Sequence, residues 1–305
     1  MKMDAKTIEK YFGGISETEL QRFQGFLDTH PLMHAEFKGN DVPYYRCGKG
    51  EKTILAFSGG HSGPWALYNS MIGLEDEFQI VVVDFSSLDN LDDFCRSVNH
   101  VLEEERIEKV CVTGQSLTGM FAQAYFRRNV GRVEAMVLTN TLAPKKERNK
   151  KAALTILRFF PAFLLKPLIN KRLAQVGKID AKISPEVQER LAFRMALLRH
   201  DIDQVASKKT LLAVVRMLFE FNEKDSVPVE GVENWPGKVL VVTSEDEPYR
   251  ADVELLMALY PDAELFSFPA GWRHAAPLIL MERFQILIKD FLLEDRCLSS
   301  KNRRE

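Results

Sequence analysis

From residue 53 onward the chain alternates short, β-branched apolar runs with amphipathic stretches, and no other feature limits its fold so strongly. TILAFS (53–58), QIVVVDF (79–85), KVCVTG (109–114), VEAMVLTN (133–140), KVLVVTS (238–244) and AELFSF (263–268) are strand-like in length and composition. Most are too continuously apolar for a half-exposed strand, so they read as buried on both faces. Helical spacing appears at 88–105, just after residue 116, near 251–260 and at 279–293. A strand followed by a helix, repeated, predicts a mostly parallel sheet with helices on both faces. Two earlier strands, 33–37 and 42–47, are joined too closely for a crossover helix and are expected to enter antiparallel. Residues 4–29 place Ile8, Tyr11, Leu20, Phe23, Phe26 and Leu27 at helical spacing, which predicts two short helices laid on the body.

The interval 144–236 breaks this rhythm. It has no convincing strand, several helical stretches and a basic amphiphilic start, PKKERNKKAALTILRFFPAFLLKPLINKRL. The predicted organisation is a core of residues 1–143 and 237–305, its first 30 residues being the N-terminal helices, with a helical cap or lid at 144–236. Within the cap, Phe159, Phe160 and Phe163 are expected to turn an apolar face over the pocket while the lysines and arginines stay in water. Contact of this segment with a membrane surface is the less favoured alternative. The tail after residue 295 is expected to fray.

At 305 residues the chain can bury a full core, and its charged fraction of 28% is that of an ordinary globular protein. A net charge of -2 offers no electrostatic case for a nucleic-acid partner. Cys47, Cys95, Cys111 and Cys297 are scattered, with no C-x-x-C pair and no histidine at ligand spacing, which argues against zinc and for a reducing compartment. The charged N-terminus lacks an apolar run that could act as a secretory signal, and no stretch approaches transmembrane length, so a cytoplasmic protein is expected. No G-x-G-x-x-G follows an early strand, which disfavours a nucleotide-binding enzyme.

The chemistry centres on GQSLTG, residues 114–119, at the end of a strand and the start of a helix. Glycines flank Ser116 where a sharp turn must shed side chains, and the helix start behind it favours developing negative charge. A serine hydroxyl needs a base to become a nucleophile. Reactive groups gather at the carboxyl ends of parallel strands. There the chain offers the acidic run Glu245, Asp246 and Glu247 after residue 244, and His274 in the loop after residue 268. The order is serine, acid, histidine. An oxyanion pocket would take the amide of Leu117 and a second from the loop FSGGHSGPW, with Gly60 as candidate and His61 lining the entrance.

With these elements in this order the chain resembles the α/β-hydrolase superfamily over roughly residues 30–295. The resemblance implies an α/β-hydrolase fold and a serine hydrolase of carboxylesterase type. It would cleave an ester or related acyl bond of a small, largely apolar molecule, without metal or organic cofactor. A serine at the elbow separates it from the haloalkane dehalogenases and epoxide hydrolases of this fold, which use aspartate there. Three departures stand out. Thr118 replaces a glycine of the usual G-x-S-x-G and is expected to crowd the elbow; Ser58-Gly59 stands where His-Gly is common; Ser244 stands where a glycine usually precedes the acid. Counting from Ser244 puts Glu247 at the acid position, with Asp246 as the alternative. LTNTL (138–142) and FFPAFLLKPLI (159–169) also resemble maspardin-like members, which implies a second reading: a non-catalytic adaptor or ligand-binding protein. An uncharged acyl group is the expected occupant of the pocket.

Overall fold

The computed structural model describes residues 1, 3–145, 183–225 and 234–294, together with positions 159, 167, 169 and 171. Two helices, α1 (Ala5–Phe12) and α2 (Glu17–Thr29), precede the strands β1 (Met33–Phe37), β2 (Asn40–Gly48) and β3 (Thr53–Ser58). Then follow α3 (Tyr68–Leu74), β4 (Gln79–Asp84), α4 (Leu91–Glu104), β5 (Val110–Gln115), α5 (Leu117–Arg128) and β6 (Val133–Thr139). After the interval come β7 (Lys238–Ser244) and β8 (Glu264–Phe268). Between β6 and β7 lie α6 (Pro185–Gln204) and α7 (Lys208–Lys224); α8 (Ala251–Leu259) separates β7 from β8, and α9 (Ala276–Ile279) and α10 (Met281–Leu293) close the chain.

The eight strands form one sheet in the order β1-β2-β4-β3-β5-β6-β7-β8. β1 pairs antiparallel with β2 and β2 antiparallel with β4; every pairing from β4 to β8 is parallel. This is the predicted arrangement, with the early strands antiparallel. Successive side chains of a strand leave on opposite faces, and here both faces are covered. Val81, Val83, Val110, Val112, Val239 and Val241 join one core cluster with α4, α5 and part of α7. Ile80, Val82, Cys111, Val137, Leu240 and Val242 join a second with α2, α3 and part of α6.

Local sequence sets the helix starts. The Asn90 side chain accepts from the Asp93 amide at 2.8 Å, so α4 begins three residues later than the sequence spacing suggests. Ser184 caps α6 ahead of Pro185, and Ser207 with Thr210 makes a reciprocal cap on α7. The crossover helix α3 is absent from the sequence reading, because seven residues behind a short helical turn at Pro64–Leu67 give too few repeats to show a period.

The parallel strands all end at one edge of the sheet. There Gln115 is level with Thr139, and Ser244 with Phe268. The loops after β3, β5, β7 and β8 therefore converge. The segment between β6 and β7 is helical where described, and α6 also packs on the N-terminal helices through Phe12 and Phe23, whose rings lie 5.4 and 5.3 Å from that of Phe193. No helix among the described residues is long and apolar enough to cross a membrane.

Candidate active site

Ser116 sits between β5 and α5 with φ 53° and ψ -119°, outside the regions an L-residue normally occupies. Such strain persists only when the surroundings hold it. The Ser116 amide donates to the Thr139 carbonyl at 2.9 Å, and Thr141 Oγ1 donates to the Ser116 carbonyl at 2.7 Å. A Cβ on Gly114 would lie 2.4 Å from the Thr118 carbonyl oxygen, and one on Gly119 2.5 Å from the Thr141 side chain. Both glycines are required by space. Thr118 does not disrupt the elbow: its hydroxyl accepts from the Gln115 amide and donates to the Gln115 carbonyl, both at 3.0 Å. The β-branched residue thus ties the turn instead of merely crowding it.

His274 lies on a short helical turn after β8, and its Nδ1 is 2.8 Å from Glu247 Oε1, with both side chains buried. A carboxylate at Nδ1 places the proton there and leaves Nε2 as the acceptor. The other two acids hold the histidine loop. Asp246 Oδ2 accepts from the Gly271 amide at 2.7 Å and Oδ1 from the Arg273 amide at 3.0 Å; Glu245 Oε2 accepts from the Ala270 amide at 3.2 Å. Ser244 Oγ donates to the Arg273 carbonyl and Asn140 to the His274 carbonyl. Of the two acids open in the sequence, Glu247 is the one at the imidazole.

Ser116, Leu117, His61 and His274 line one cavity of about 320 Å³, with Thr118 and Tyr249 on its wall. That volume is enough for a small substrate. Ser116 and His274 share this cavity, and His274 Nδ1 is bonded to Glu247. The Leu117 amide belongs to the first turn of α5, where no helical carbonyl precedes it. Gly60 stands beside the Leu117 side chain, but its amide donates to Ser86 Oγ at 3.2 Å. Gly59 and His61, not Gly60, line the cavity. Burial, then the charge of Arg194, lowers the His61 pKa; Asp201 opposes them.

The wall opposite the sheet comes from α6, through Leu191, Arg194, Met195 and Leu198 at i, i+3, i+4 and i+7. Phe159 is 78% exposed and absent from this lining; Phe160 and Phe163 lie outside the described residues. Asp201 near the end of the same helix is fully buried. It accepts from the Gly63 amide at 3.0 Å and the Trp65 indole at 2.9 Å, and pairs with His200 Nδ1 at 2.9 Å. It clips α6 to the loop after β3. The sequence reading singled out neither Asp201 nor Arg194. The signal was the apolar stripe of 191–198 interrupted by one arginine.

His30, Cys47 and Glu75 are the one group among the described residues whose ligand atoms could meet a metal ion. His30 Nε2 already pairs with Glu75 at 2.8 Å, and burial with the neighbouring Glu75 pushes the Cys47 thiol up to about 12. Cys47, Cys95 and Cys111 are free; Cys297 lies outside the described residues.

A strained serine at a strand-to-helix elbow, on a sheet of this order, gives the chain an α/β-hydrolase fold. Solved structures agree. The chain is similar to a bromoperoxidase from Bacillus anthracis (TM-score 0.66, 15% identity, 86% of this chain and 100% of that one). It is equally similar to a hydrolase from Pseudomonas aeruginosa PA01 (TM-score 0.66, 15% identity, 86% and 98% covered). An enol-lactonase from Burkholderia xenovorans LB400 aligns with TM-score 0.65 at 14% identity, covering 86% and 100%. No family model matches the sequence. No curated protein matches it either, so the likeness is one of fold.

Proposed function

We propose that this protein is a serine hydrolase acting on an ester or related acyl bond. The observation that carries the reading is the meeting of a strained Ser116 with the Glu247–His274 pair at one cavity. Ser116 Oγ attacks the carbonyl carbon while His274 Nε2 takes its proton. The resulting oxyanion is met by the Leu117 amide, with Gly60 as second donor once its bond to Ser86 is given up. His274 then returns the proton to the leaving group as the carbon–oxygen bond breaks. Water, deprotonated by the same nitrogen, releases the acyl group and restores the serine. Glu247 fixes the imidazole and balances its charge.

The segment between β6 and β7 would serve as the cap, with the α6 stripe as its pocket-facing surface. The names of the neighbouring structures, a hydrolase and an enol-lactonase among them, support a hydrolytic reading. The test is turnover of p-nitrophenyl butyrate by wild type and Ser116→Ala. Burst release followed by steady hydrolysis in the wild type, with loss of both in the variant at unchanged circular dichroism, is expected. Equal rates would reject the reading. Absence of turnover with any acyl ester, together with tight binding of a small ligand, would favour the adaptor alternative.

A further inference from the structure

Among the described residues, Arg194 is the one permanently charged side chain on the lining of the Ser116 cavity, and no aspartate or glutamate among them joins that lining. Leu67, Leu117, Leu191, Met195, Leu198 and Leu278 make up the aliphatic part of the wall. One turn earlier on α6, Arg190 pairs with Glu186 and Glu282 at the surface. Arg194 has no such partner among the described residues; its Nη1 donates to the Ala66 carbonyl at 2.7 Å. Asp201 is the acid whose field most favours its charge, yet both oxygens of that carboxylate are committed to Gly63, Trp65 and His200.

A guanidinium stays protonated at neutral pH and is expensive to bury without a counter-charge. Here burial works against its charged form. The Ala66 bond fixes the side chain and leaves most of its five N–H donors for a planar acceptor. Carboxylates fit that fork bidentately, and the gain is larger where water is excluded. His61 does not compete for the anion as a cation, since burial and Arg194 itself lower its pKa. The expected uncharged acyl group would leave the guanidinium with no balance beyond the field of Asp201, whose oxygens are held by other donors.

Resting on the hydrolase reading above, we propose that Arg194 is a substrate-binding residue and that the preferred substrates are acyl compounds carrying a carboxylate. The aliphatic wall takes the carbon chain between that carboxylate and the scissile carbonyl at Ser116. Half-esters of dicarboxylic acids, and lactones or amides bearing a free carboxylate, belong to this class.

The test compares the p-nitrophenyl half-ester of adipic acid with its terminal amide, which has the same shape without the charge. Wild type is expected to prefer the anion at least about tenfold in kcat/KM, and Arg194→Met to lower the anion-to-amide ratio about 100-fold. Arg194→Lys keeps the charge and should retain most of the preference. It serves as the reference should loss of the Ala66 bond destabilise the Met variant. Binding of monomethyl adipate and dimethyl adipate to Ser116→Ala, followed by calorimetry, separates the two readings. Tighter binding of the monoanion that disappears with Arg194→Met supports the anion site even if no ester is hydrolysed. Hydrolysis with equal efficiency on both substrates, or equal binding of both esters, would overturn it and leave the hydrolase reading standing.

Discussion

Glu247 Oε1 lies 2.8 Å from His274 Nδ1, while its neighbour Asp246 spends both oxygens on the amides of Gly271 and Arg273. Two adjacent acids therefore have different tasks, one facing the imidazole and the other bracing the loop that carries it. Glu247→Gln is expected to lower kcat about 10³- to 10⁴-fold with little change in thermal stability, because an amide cannot balance the imidazolium. Asp246→Asn should instead cost about 1–2 kcal/mol of stability, read as a lower Tm, and reduce kcat less than tenfold. Swapped outcomes in kinetics and melting would exchange the two roles.

Asp201 joins α6 to the loop that bears Gly60 and His61. Removing its charge weakens three hydrogen bonds at once, two of them buried. Asp201→Asn is expected to destabilise by about 2–4 kcal/mol and to lower kcat/KM for every acyl substrate alike. Calorimetric melting and a two-substrate comparison check this. A variant that melts like wild type would mean the clip contributes nothing.

The Gly60 amide is held by Ser86 Oγ at 3.2 Å, so an oxyanion must compete for it. Ser86→Ala frees the donor. The expected result is an unchanged or higher kcat, up to about tenfold, since one such donor is worth roughly 10²–10³ when fully used. A loss greater than tenfold would show that Ser86 supports the loop, and Gly60 would no longer be the second donor.

Asp84 ends β4 beneath the same loop. Burial raises its pKa to about 6, against the bonds from the Ser86 amide (2.7 Å) and Ser58 Oγ (3.2 Å) that lower it. A carboxyl whose folded pKa exceeds its unfolded value binds more protons when folded. Its contribution is full below about pH 4 and is lost as pH rises through about 6. The whole effect is on the order of 3 kcal/mol. Asp84→Asn lacks it, so the Tm difference between variant and wild type should move in the variant's favour from pH 4 to pH 7. Parallel curves would contradict this.

Much of the architecture was legible in the sequence because buried parallel strands leave continuous apolar runs, as in QIVVVD and KVLVVTS. The serine, acid and histidine loops followed from strand ends. What could not be read depends on backbone paths within loops. The count from Ser244 put Glu247 ahead of Asp246, but the two differ by one residue and the turn after β7 decides which reaches His274. The Gly60 amide is likewise occupied through the fold of a distant residue, Ser86. Arg194 and Asp201 were missed for a different reason: a helical stripe shows that a face is apolar, but not what it covers.

Every step of the proposed reaction depends on Ser116 being an activated nucleophile. Incubation with a fluorophosphonate, followed by intact-protein and peptide mass spectrometry, measures this without knowledge of the substrate. A single adduct on the peptide containing Ser116, absent in Ser116→Ala and much slower to form in His274→Ala, is the expected result. An unlabelled wild type, or an adduct that persists in Ser116→Ala, would contradict the account.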